Sequence, residues 1–216
     1  MKKSLMWVGM IALSSASLFA QEHLSASDPE PNRYEANTPA QEAPAGLVKI
    51  FSNLGPAKSA FVSGGWFVAG PTYSGGQHFI AMPFTAKSNS TVTQVQVAVQ
   101  YDGSGANQIA LSIYTDIKGA PGTLIDGPVT VTGLSACCKC CTLTVGTFSK
   151  GVSVLKGKQY WVVADTPKSG MGSDFLGVWN WVPPAKTLVG FNQSSSWSAA
   201  PASIQEPAGA VYGTIP

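Results

Sequence analysis

All four cysteines of this 216-residue chain fall within five consecutive positions, Cys137-Cys138-Lys139-Cys140-Cys141. Thiols this close together can oxidise to disulfides or, as thiolates, hold a soft metal such as Cu(I) or Zn. In an oxidising compartment an even count favours disulfides, and four cysteines allow three pairings. Adjacent pairing closes small strained rings. Pairing Cys137 with Cys140 and Cys138 with Cys141 needs a tight turn that brings the Cα atoms to about 4.4–6.8 Å. A flat strand would send alternate cysteines to opposite faces, so the segment is expected to be a turn or bulge. Loops this short remove little entropy from the unfolded chain, so the cluster would stiffen one connection more than hold a domain together. Zinc usually recruits two separated cysteine pairs, and no second pair exists, so no metal site is assigned.

The second chemistry-bearing set is aromatic. Trp66, Trp179, Trp181 and Trp197 are the candidate ligand-binding residues, because indole rings stack on sugar rings. Trp179 and Trp181 are two apart, so in a strand they share a face and Asn180 takes the other. If that face is solvent-exposed the pair could lie along a polysaccharide; if it meets an opposing sheet it is core. Of Tyr160 and Trp161, adjacent in an apolar run, one points inward and the other outward.

Acid–base chemistry has little material. The chain has two histidines, His23 and His78, and the latter reads as a strand-start residue following Gly75-Gly76-Gln77. No HExxH, GxSxG or phosphate loop is present. From residue 47 onward the acids are Asp102, Asp116, Asp126, Asp165, Asp174 and Glu206. Two carboxylates brought together would suffice for a glycan hydrolase. Asp102, Asp116 and Asp126, however, lie beside glycine-containing turns, where aspartate accepts local backbone hydrogen bonds. No catalytic residue is assigned, no cofactor is expected, and the chain is read as a non-enzyme.

The elements that would position these residues are strands. Val95, Val97 and Val99 alternate with small or polar residues, as do Ile109, Leu111 and Ile113, the period-two pattern of half-buried strands. Further runs occur at 48–51, 79–84, 124–131, 143–148, 160–164, 175–182 and 210–215. Turns are predicted at Asp102-Gly103-Ser104-Gly105, Lys118-Gly119-Ala120-Pro121-Gly122 and Lys156-Gly157-Lys158. Nine or ten strands without a helix predict an all-β fold, a two-sheet antiparallel β-sandwich or jelly-roll-like single domain over residues 47–216. The 23 glycines and 15 prolines, and only 11% charged residues against a usual figure of about 25%, fit a turn-rich fold and exclude a coiled coil.

Two segments precede that domain. Lys2 and Lys3 ahead of an apolar run from Leu5 to Phe19 read as a secretory signal over residues 1–20, cleaved after Ala20 or alternatively after Ala16. The run is shorter than a membrane span, so no membrane insertion is expected after cleavage, and the protein is expected to be secreted to the periplasm or medium. Residues 21–46, rich in Pro, Ala and Glu, read as a disordered spacer. Removing the signal leaves 11 basic and 11 acidic residues, with five acids and Arg33 in the spacer and ten basic against six acidic residues in the domain. So small a surplus excludes a phosphate-tracking stripe, and nucleic acid is not expected as a partner.

The order of segments resembles the choice-of-anchor R domain family of secreted bacterial β-sandwiches. The matching stretches are Phe51-Ser-Asn-Leu-Gly-Pro56, Gly65-Trp-Phe-Val-Ala-Gly70, Thr91 to Tyr101, and Leu111-Ser-Ile-Tyr-Thr-Asp116 leading into Gly119-Ala-Pro-Gly-Thr-Leu124. Cys140-Cys-Thr-Leu143, Gly157-Lys-Gln-Tyr-Trp161 and Val178-Trp-Asn-Trp181 continue the order. The resemblance implies a surface or matrix role, with polysaccharide or envelope components as partners, and brings no catalytic residue. The family's sorting tail is missing, which favours release over covalent display. Oligomeric state is left open by the sequence.

Overall fold

The computed structural model describes residues 43–55, 60–137, 142–182, 190–193, 197–199 and 206–216. The leader and most of the spacer, with Cys138, Cys140 and Cys141, lie outside the described residues. Those described form no helix and thirteen strands: β1 Val48–Ser52, β2 Gly65–Ala69, β3 His78–Thr85, β4 Ser90–Val97, β5 Val99–Ser104, β6 Gln108–Ile117, β7 Ala120–Thr132, β8 Thr144–Val154, β9 Gln159–Asp165, β10 Leu176–Asn180, β11 Gly190–Gln193, β12 Trp197–Ala199 and β13 Gly209–Thr214. The smaller sheet runs β1-β13-β4-β8 and the larger β5-β10-β2-β3-β9-β6-β7, with β11 also on β3 and β12 on β11. The strands pair antiparallel, and the two sheets pack as a β-sandwich.

The alternating apolar positions meet between the sheets. Val92, Val95, Val97 and Val211 of the smaller sheet share one core with Ile80, Met82, Ile109, Leu111, Ile113 and Val162 of the larger. The run from Thr91 to Tyr101 is not one strand. At Ala98 the chain crosses from the smaller sheet to the larger: the Ala98 N–H donates to the Ala208 carbonyl (3.0 Å), and its own carbonyl accepts from Asn180 (2.9 Å). Val97, Ala98 and Val99 are all fully buried, so burial runs without a break across the crossing.

The β6–β7 hairpin shows how local chemistry sets the register. Lys118 and Gly119 both have positive φ (56° and 80°), the geometry of a two-residue hairpin turn whose twist matches its strands. The turn is therefore confined to those two residues, and Ala120, Pro121 and Gly122, expected in the turn, already belong to β7, where Pro121 sits opposite Asp116. Likewise, Asp102, Gly103 and Ser104 end strand β5 and are not a separate turn.

Candidate functional site

The four candidate tryptophans do not form one surface. Trp179 is fully buried in the main core, and its indole N–H donates to the Ala208 carbonyl at 2.9 Å, so this ring is a core residue and its assignment to a ligand platform is corrected. Asn180, expected on the opposite face, is buried as well; its amide donates to the Ser63 carbonyl at 3.0 Å. Trp66 and Trp181 are half-buried neighbours with ring centroids 5.6 Å apart and planes at 68°, an edge-to-face pair and not coplanar. Gly64 makes room for that arrangement, since a Cβ there would lie 2.7 Å from the Trp181 ring. The Trp181 indole N–H is buried without a hydrogen-bond partner among the described residues.

Trp197 belongs to a different place. Along β9, Tyr160, Val162 and Ala164 face the main core, while Trp161 and Val163 face the opposite side of the larger sheet. There they join Ala81 in a second buried cluster, against which Tyr114 and Trp197 pack. Tyr160 and Trp161 thus do point to opposite faces, as adjacent strand residues must, yet both are buried.

Polar side chains at this cluster and elsewhere in the domain are held by the fold. Asp116, at the end of β6, accepts from Trp161 Nε1 (2.8 Å), from Gln159 Nε2 (2.8 Å) and from the Gly119 backbone N–H (3.2 Å). One carboxylate therefore anchors a buried indole and the β6–β7 turn together. Asp126 accepts from the Gly127 N–H at 2.8 Å, and Asp174 from the Ala106 N–H at 2.9 Å. His78 begins β3; its Nε2 lies 3.1 Å from the Gly75 carbonyl and its ring meets Tyr73 edge-on.

Asp165, the last residue of β9, has a different environment. It shares the outer face with Trp161 and Val163, and desolvation pushes its carboxyl up to about 6, against the opposing pull of the Thr166 N–H and Lys168. Desolvation and the Asp165 charge together raise the Tyr114 phenol. The sequence marked Asp165 only as one acid among six; its distance of four residues from Trp161 placed both on one face, but nothing in the pattern showed that this face was covered.

The cysteine segment is anchored on β5 at both ends. The Cys137 N–H donates to the Tyr101 carbonyl (2.6 Å), Tyr101 donates to Ser135 (2.8 Å), and Ala136 forms a parallel bridge with Tyr101. Past the cysteines, the buried Thr144 hydroxyl donates to the Val99 carbonyl at 2.7 Å. Cys137 lies in a turn; the rest of the segment expected to be a turn or bulge lies outside the described residues. Among the described residues no group of three or more His, Cys, Asp or Glu side chains could hold a metal ion.

No protein-family model, curated protein or solved structure matches this chain.

Proposed function

We propose that this chain is a non-catalytic exported β-sandwich acting in the bacterial cell envelope or extracellular matrix. The observation that carries the reading is the commitment of Asp116 to three structural hydrogen bonds, one of them to a buried indole. Asp126 and Asp174 are engaged by backbone N–H groups in the same manner, and the perturbed Asp165 interacts with a phenol instead of a second carboxylate. A charged leader, an apolar run and a clustered set of cysteines support export. In that compartment the cysteines form local disulfides, a reading supported by Cys137, the one described cysteine, not being a free thiol. The resemblance to choice-of-anchor R domains points to the same setting.

The test is fractionation of bacteria expressing the full chain. Recovery from the periplasm or medium with Gln21 as the first residue supports the proposal; an uncleaved chain confined to the cytoplasm refutes it.

A second reading, a carbohydrate-binding module, draws on one observation: Trp66 and Trp181 are in contact, both partly exposed, and Trp181 carries an unsatisfied buried donor. Retention on a panel of insoluble polysaccharides that is lost in Trp66→Ala and Trp181→Ala would favour it. Equal retention of both variants would dismiss it.

A further inference from the structure

Three turns come together at one end of the sandwich. The β8–β9 turn is tied to the β3–β4 turn by Gly157 N–H to the Ala86 carbonyl (2.8 Å), Ala86 N–H to the Lys158 carbonyl (3.4 Å) and Lys156 N–H to Asn89 Oδ1 (2.9 Å). The β6–β7 turn stands beside them, because Thr115 pairs with Tyr160 and Gln159 donates to Asp116 at 2.8 Å. These contacts gather four exposed lysines, Lys87, Lys118, Lys156 and Lys158, out of the ten basic residues of the domain. Among them protrude Ile117 and Leu155, which keep 52% and 55% of their surface in water. The carboxylate at this end, Asp116, is half-buried and already bound by three donors.

Lysines on a turn are ordinarily a solvated surface, and a single exposed aliphatic needs no explanation. The combination differs: a cationic end with two aliphatic side chains projecting between the charges. A soluble polyanion would satisfy the lysines and leave Ile117 and Leu155 in water. A lipid surface satisfies both, with headgroup phosphates meeting the ammonium groups and the aliphatic side chains entering the boundary between headgroups and acyl chains.

We infer that this end of the sandwich docks peripherally on an anionic phospholipid surface. The inference goes beyond an envelope location and does not depend on glycan binding. It is tested by co-sedimentation of the full chain with vesicles of phosphatidylcholine, alone or mixed with phosphatidylglycerol. The chain binds the anionic vesicles, and binding weakens as salt rises and screens the charges. Each lysine lost lowers the partition coefficient about fivefold, so Lys156→Glu with Lys158→Glu lowers it at least about 25-fold. Ile117→Ser with Leu155→Ser weakens binding and leaves its salt dependence unchanged. All compared chains have the same length, so the differences report this end of the domain and not the leader. A second pair, Lys87→Glu with Lys118→Glu, repeats the charge test, and unchanged far-UV circular dichroism verifies folding. Equal binding by the variants, equal binding to neutral vesicles, or capture by soluble polyphosphate with no vesicle binding would overturn the inference.

Discussion

Replacing Asp116 by alanine removes an acceptor from three donors at once. Trp161 is fully buried, so its indole N–H would be left unsatisfied, a penalty of about 1–3 kcal/mol. The bonds from Gln159 and from the Gly119 N–H reach donors that water can partly resolvate, and their loss adds about 0.5–1.5 kcal/mol in all. The expected loss for Asp116→Ala is therefore about 1.5–4.5 kcal/mol. Asp116→Asn keeps an acceptor at the same position and should lose less than half of that. The assay is equilibrium urea unfolding, which reads the loss as a lower midpoint at constant slope. A double-mutant cycle with Trp161→Phe isolates the carboxylate–indole pair and should give a coupling of about 1–2 kcal/mol. If Asp116→Ala lies within about 0.5 kcal/mol of the wild type, as ordinary surface changes do, the carboxylate is not a structural anchor and the argument from it fails.

Asp165 gives a pH dependence of defined sign. Its carboxyl is raised from 3.8 to about 6, so between those values the native state holds more proton than the unfolded chain, and stability falls as pH rises through that window. The upper bound of that fall is about 3 kcal/mol. Asp165→Asn should flatten this part of the stability–pH profile and exceed wild-type stability at pH 7.5; a variant no more stable there would contradict the desolvated placement. Trp179→Ala removes a fully buried indole and should cost about 3–5 kcal/mol in thermal or urea unfolding. A near-neutral result would place that ring outside the core.

The strands were legible because aliphatic residues alternate with small or polar ones, as in Ile109, Leu111 and Ile113, all of which face the core. Alternation says which residues share a face and not what covers it. The spacing of Trp179 and Trp181 therefore leaves core and platform both open, and only the fold shows Trp179 buried. The same blindness hid the second cluster, since Trp161 and Val163 sit on a face that would ordinarily be solvated. β2 escaped notice as a strand because Trp66, Phe67 and Val68 are consecutive apolar residues without alternation. The crossing at Ala98 was invisible because burial continues through it on both sheets. Short strands such as β11 and β12 carry too few residues to establish a period. The local backbone bonding of Asp116 and Asp126 was legible from their neighbouring glycines, although Asp126 lies inside β7 at a register shift and not in a turn; the long-range bonds of Asp116 to Gln159 and Trp161 depend on the β6–β9 pairing.

The proposed export of the domain is tested most directly by the thiols of the recovered protein. The full chain is expressed in bacteria, collected from the periplasm and medium, and alkylated before and after reduction, with intact mass as the readout. Export requires a chain beginning at Gln21 in which no cysteine is alkylated until reductant is added, after which all four are. An intact leader with four freely alkylatable thiols would contradict it.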